Sequence, residues 1–243
     1  MEDNNNRKTC AVMQPTYLPW IGYFEMIDAS DIFVFLDDVQ FQRKSWQQRN
    51  IIKGPNGSVK LTVPVLQKGK RFQRIDQVVI NNQENWAKRH LKSIEIAYLK
   101  SPYFKQYLPA FKSLYEKKYE RLVDLNVSFI YMLMELLCIR TPTILSSSLN
   151  INSKANMKII EICRILEVDE LYDAAGAVNF INDELFQEAN VRVVYQDYRH
   201  PKYNQLHGDF ISHMSVVDLL YNEGPRSLEV IRSGSSRTWK GEN

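Results

Sequence analysis

"TCAVMQPTYLPWIGYFEMIDASDIFVFL", residues 9–36, decides the fold. Residues 9–14 are a short apolar run suited to a buried strand. "GYFEMIDAS" at 22–30 suits a short returning helix. "DIFVFL" at 31–36 is apolar without alternation, the pattern of a strand covered on both faces. Strand, short helix, strand is the opening of a βαβ unit.

Working outward, "PNG" at 55–57 is a turn signal, so "QRNIIK" and "SVKLTVPV" are expected to pair as a hairpin, with "QVVI" at 77–80 as a further edge strand. From 84 to 139 the pattern becomes helical. Trp86, His90, Leu91, Ile94 and Tyr98 share one face, Phe104 to Tyr115 supply a second helix, and a third runs over about 123–137. The α/β rhythm then resumes. "TPTIL", "ELYDA" and "VRVVYQ" read as strands, separated by helices at 153–166 and in "NDELFQEAN". "SVVDLLYNEG" reads as a helix capped by Ser215 and stopped at Gly224–Pro225. The expectation is one α/β domain over 1–243: a three-layer, mainly parallel Rossmann-like sheet with a small hairpin, a helical insertion at about 84–139 and a flexible tail at about 233–243.

A formal charge of +3, with basic residues scattered along the chain, argues against nucleic acid as a partner. "KGKR" at 68–71 and "KKYER" at 117–121 read as solvated faces. The odd count of three cysteines, with no CxxC, argues against a disulfide framework, so Cys10, Cys138 and Cys163 are expected as buried, reduced thiols. "MEDNNNRKT" lacks the apolar core of a signal peptide, and "FIYMLMELLCI" at 129–139 is too short to span a bilayer. A soluble, cytoplasmic protein without membrane insertion is expected.

In such folds ligands sit beyond the carboxyl ends of the strands. That places "QPTYLPW", residues 14–20, at the mouth of a site. Pro15 and Pro19 restrict the loop, Gln14 offers a donor and an acceptor, and Tyr17 and Trp20 offer flat faces for a sugar or base. The competing reading is that both aromatics plug the end of the sheet as core. Asp37 and Asp38 follow the second strand and are candidates to accept a proton, bind a metal or hold sugar hydroxyls, against a plain turn or cap role. Adjacent residues in an extended chain point to opposite faces, so one of the two is expected to aim at the site. Gln40, Trp46, Arg49 and Asn50 continue the candidate set, with Arg49 suited to a carboxylate or phosphate. Ser147, within "SSS" at 146–148, and the amides after "DAAGA" at 173–177 suit an anion. Three of the four histidines, His200, His207 and His213, fall near the C-terminus, at spacings unlike a helical zinc motif, and no metal is expected. His200, just after the last strand, is the candidate acid–base histidine, with Tyr203 beside it, while His207 and His213 read as structural.

"QPTYLPWIGYFEMI", "DIFVFLDDVQF", "SWQQRNIIKGPNG", "TVPV", "ILSSSL", "QDYRHPKY" and "SVVDLLYNEGP" together resemble the WbqC-like family of bacteria, over about 10–231. The resemblance implies a place in O-antigen or other surface-polysaccharide biosynthesis. It also implies transfer of glycine or another amino acid to a sugar. Many relatives carry histidine before the Gln-Pro pair, where Met13 stands here. A fainter likeness to nucleotidyltransferases lacks both histidines of their HxGH loop.

The expected chemistry is amide formation between an amino acid and an amino sugar or nucleotide sugar. Asp38, His200 or Asp37 would take the proton from the attacking amine. The residues leave open whether the acyl group arrives through ATP with Mg2+, as a thioester or on another activated donor. The rival expectations are a non-catalytic sugar-nucleotide-binding module and a nucleotidyltransferase-like enzyme acting on a small metabolite.

Overall fold

The computed structural model describes residues 7–70 and 72–238. The last basic residue of "KGKR" and the end of the expected tail, from 239, lie outside the described residues. Strands β1 (Thr9–Met13), β2 (Ile32–Phe35), β5 (Thr143–Leu145), β6 (Glu170–Asp173) and β7 (Arg192–Gln196) form a parallel sheet in the order β5-β2-β1-β6-β7. Among the parallel strands this is the 3-2-1-4-5 order of a doubly wound fold, and the winding reverses between β1 and β6. Strands β3 (Arg49–Gly54) and β4 (Gly57–Thr62) form the separate hairpin, turning where Gly57 adopts φ +101°.

Alternate strand residues face two cores, because successive side chains of a strand point to opposite sides. Ala11, Phe33, Phe35, Tyr172 and Val194 join the larger core. That core also takes α1 (Ile21–Asp28), α2 (Trp86–Tyr98), α3 (Phe104–Glu116), α4 (Leu122–Leu136) and α7 (Val216–Glu223). Cys10, Val12, Val34, Leu171 and Val193 meet α5 (Ala155–Ile165) and α6 (Asp183–Glu188) on the other face. Three layers result, the larger one holding the helical block. Every residue of α1 from Ile21 to Ile27 is buried, which makes it the central helix of that layer. No helix among the described residues is long and apolar enough to cross a membrane.

Three expectations are corrected. "QVVI" is not a strand: Ile75–Gln77 form a 3-10 turn, and Val79 and Ile80 make only isolated bridges, to Arg121 and Val65. The chain there turns to bury Ile75, Val78 and Ile80 rather than running along a sheet edge. The tail is ordered through Thr238. After α8 (Ser227–Ser233), strand β8 (Arg237–Thr238) pairs antiparallel with β7, and the main chain of 234–236 accepts from the amides of Arg199 and Asp197. Of the cysteines, Cys10 and Cys163 are buried with Sγ atoms 3.8 Å apart, but Cys138 is exposed. It stands just past the end of α4 at φ +59°, from which Ile139 turns back into the core.

Candidate active site at the carboxyl edge of the sheet

The loop from β1 to α1 is built by amides. Asn50 Nδ2 donates to the carbonyls of Tyr17 (3.1 Å) and Leu18 (2.7 Å), holding Leu18 at φ +45°. Asn126 Nδ2 donates to the carbonyls of Pro15 (3.1 Å) and Gln47 (2.8 Å), and Gln47 Nε2 donates to Gln14 Oε1 (2.6 Å). Gln14 therefore keeps its own amide N–H groups for a ligand.

The two aromatics of the loop part company. Tyr17 is fully buried, its hydroxyl bonded to His90 Nδ1 (2.9 Å) and Tyr115 and its ring edge-on to Phe129. It is a core residue. Burial, with the Arg89 charge nearby, lowers the His90 pKa to about 4, so His90 is neutral. Trp20 turns outward as N-cap of α1 and stacks on His213 (5.4 Å between centroids, 22°) and His200 (6.2 Å, 18°), with Tyr198 edge-on. Gly22 makes this placement feasible, because a Cβ there would come within 2.3 Å of Trp20 Cη2.

His200 is locked. Its Nδ1 donates to the Pro201 carbonyl (2.9 Å), so its Nε2 is the acceptor for the His213 main-chain N–H (3.1 Å). Burial lowers its pKa, partly offset by the Pro201 carbonyl. Its ring also stacks on Tyr203, whose hydroxyl donates to the buried Asp218 (2.9 Å).

Asp37 and Asp38 do not point apart. β2 ends at Phe35, so the strand alternation has stopped before them, and both carboxylates meet the end of β5. Asp37 is buried and accepts from Ser147 N (2.9 Å) and Ser147 Oγ (2.7 Å). Asp38 accepts from Ser146 Oγ (2.5 Å) and pairs with Lys158 Nζ (2.6 Å), in a bridge whose side chains are only 6–7% exposed. Burial pushes the Asp38 pKa up, but the hydrogen bonds from Lys158 and Ser146 outweigh it and the net shift is downward. Such a carboxylate is a weak base. The remaining candidates lie on or beside the hairpin: Gln40 and Trp46 are exposed, and Arg49, half-buried at the start of β3, makes no salt bridge among the described residues.

Trp20, His200 and Tyr203 are thus one group, and Asp37, Asp38 and Ser147 another. His200 and Tyr203 follow β7 and Asp37 and Asp38 follow β2, three strand steps of about 4.8 Å, or roughly 14 Å, whereas Trp20 follows β1, the neighbour of β2. At the centre of this edge stands a residue the sequence reading passed over. Asp173 ends β6 at the switch point, in a ladder where Ala11 pairs with Tyr172. Burial raises its carboxyl to about 6, offset only in part by the N–H of Ala174, which Oδ1 accepts at 2.8 Å. No salt bridge to Asp173 exists among the described residues. The strand-end rule that singled out Asp37 and Asp38 applies equally to the last residue of "ELYD". Lys158 had a fainter signal, its place on the buried phase of α5 with Ile162. Among the described residues no three His, Cys, Asp or Glu side chains are grouped to hold a metal ion.

The WbqC-like family model matches residues 14–230, most of the chain and all of the strand ends just described. The chain belongs to the WbqC-like protein family. It is 30% identical over 227 residues to "Uncharacterized protein Rv1507c" of Mycobacterium tuberculosis (strain ATCC 25618 / H37Rv), covering 93% of this chain and 98% of that one. No solved structure matches. For this WbqC-like chain the α/β architecture therefore rests on its own topology, and the candidate site on its own strand ends.

Proposed function

We propose that the chain is an amide-forming transferase or ligase of surface-polysaccharide (O-antigen) biosynthesis, joining an amino acid such as glycine to a nucleotide-linked amino sugar. The observation that carries the reading is Asp173, an uncompensated carboxyl titrating near 6 at the switch point. A sugar ammonium must lose its proton before its nitrogen lone pair can attack the acyl carbon. A carboxylate of raised pKa is ionised at pH 7 yet basic enough to take that proton. The C–N bond forms as the bond to the activating group breaks, and that group leaves with the electron pair. Asp173 is the base in this scheme, Gln14 orients the substrate through its free amide, and the ion-paired Asp38 and locked His200 are positioning residues.

Membership of the WbqC-like family supports the pathway, and the doubly wound switch point supports the location. The test incubates the chain with a UDP-linked amino sugar, glycine, and ATP with Mg2+, or a glycyl thioester in place of ATP. Mass spectrometry then looks for the glycyl-sugar product. The reading expects product with one donor and its loss in Asp173→Asn. No product with any amino acid and either donor sinks it.

A second reading draws on the internal engagement of both Asp38 and His200. As a non-catalytic sugar-nucleotide-binding module, the chain would bind saturably without turnover, and Asp173→Asn would leave affinity unchanged.

A further inference from the structure

Charge is divided unevenly along this chain in a way the total hides. Residues 39–75 carry nine Lys or Arg and no Asp or Glu, which leaves 22 Lys or Arg against 28 Asp or Glu elsewhere. A module of +9 is therefore carried by a body of −6. The module comprises the hairpin and the two loops that flank it, 40–48 and 63–74.

The two loops lie side by side. Phe41 N donates to the Gln73 carbonyl (3.0 Å), Arg43 Nη2 to the Gln67 carbonyl (2.9 Å), and Gln40 bridges Arg74. The two loops expose large apolar side chains: Trp46 is 54% exposed, Leu66 44% and Phe72 76%. Lys44, Lys68 and Lys70 are exposed on the same two loops, and Lys44 stands at φ +58° in a tight turn. Of the module's cations, only Arg74 is neutralised by a salt bridge among the described residues, to Asp76.

We propose that these two adjacent loops are a docking surface for an anionic lipid bilayer. Water disfavours exposed Trp, Phe and Leu side chains, whereas the interface between headgroups and acyl chains favours them. The lysines of the same loops are drawn to anionic headgroups, while the net negative body is repelled, so the module orients the protein with these loops toward the lipid. Leu66 is the feature that favours lipid over a polyanion, because an aliphatic side chain has no part in base stacking. The proposal goes beyond the amide-forming reading and does not depend on it.

The test is co-sedimentation of the full chain with vesicles of phosphatidylcholine alone, or of equal parts phosphatidylcholine and phosphatidylglycerol. The wild type is expected to pellet with the second and not the first, and to be released in about 1 M NaCl, where the Debye length falls to about 3 Å. Phe72→Ser and Lys68→Glu/Lys70→Glu are each expected to weaken binding about tenfold, with unchanged melting curves because these side chains are exposed. Recovery of the wild type in the supernatant with both vesicles overturns the proposal, as does binding that neither variant weakens. Binding to an oligo-dT strand without vesicle binding also overturns it and assigns the surface to a nucleic acid.

Discussion

The main-chain N–H of His213 donates to Nε2 of His200 at 3.1 Å, while Nδ1 of the same ring donates to the Pro201 carbonyl. This histidine has no free nitrogen with which to move a substrate proton. His200→Ala is accordingly expected to act on stability, with a loss of about 1 kcal/mol, because water reaches the exposed His213 N–H that it leaves. It should leave the acid limb of any pH–rate profile where it was. Denaturant unfolding and a pH–rate series check the two halves separately.

Asp173→Asn is expected to move stability and activity in opposite directions. A carboxyl raised from 3.8 to about 6 binds more protons folded than unfolded between those pH values. Its stabilising contribution is whole below pH 3.8 and lost as pH rises through 6, so at pH 7.5 the ionised group costs about 2–3 kcal/mol. The asparagine variant should melt higher than wild type at pH 7.5, with turnover down by about 100-fold or more.

His90 titrates with the opposite sign. Its pKa, lowered from 6.5 to about 4, means that the unfolded chain binds the extra proton in that window. The stability it contributes is whole above pH 6.5 and lost as pH falls through 4, up to roughly 3 kcal/mol. His90→Phe should flatten the acid side of the stability curve between pH 6.5 and 4, as read by urea midpoints across that range.

The Asp38–Lys158 pair is nearly closed to water, so breaking one half should cost more than removing both. Lys158→Met is expected to lose about 3–5 kcal/mol by leaving Asp38 buried and unpaired. The double variant Asp38→Leu/Lys158→Met should recover a large part of that loss in the same unfolding assay. A double-variant loss equal to the sum of the Asp38→Leu and Lys158→Met losses would show that the pair is not coupled.

Gly22→Ala should disturb the Trp20 stack from beneath. The added methyl would lie 2.3 Å from Cη2 of the indole, and the helix backbone cannot retreat from within the core. A cost of about 1–3 kcal/mol is expected, with a change in tryptophan fluorescence as the ring leaves the two histidines.

Much of the fold was legible because it is written locally. Two-sided apolar runs marked β1, β2 and β7, the Pro55–Gly57 turn marked the hairpin, and Ser215 with Gly224 bounded α7, where Ser215 Oγ does accept from Val217 N. What was not legible is long-range. Lys158 and Asp38 are 120 positions apart, Tyr17 and His90 73 apart, and Ser235 and Glu25 210 apart, and no periodicity connects such partners. β8 was missed for a similar reason. Two residues in a Ser- and Gly-rich segment carry no strand pattern, and they pair only because β7 presents an open edge to them. Tyr17 and Trp20 looked alike in sequence. Only the fold shows that one is held inward by a His–Tyr pair and the other turned out over Gly22.

The central claim, that Asp173 is the proton acceptor at the switch point, is tested most directly by NMR titration of the 13C-labelled aspartate carboxyls, run beside the pH dependence of glycyl transfer. The account predicts one aspartate resonance titrating near pH 6, missing from Asp173→Asn, and an acid limb of the rate at the same pH. Asp173 titrating with the ordinary carboxylates, or full transfer by the asparagine variant, would contradict it.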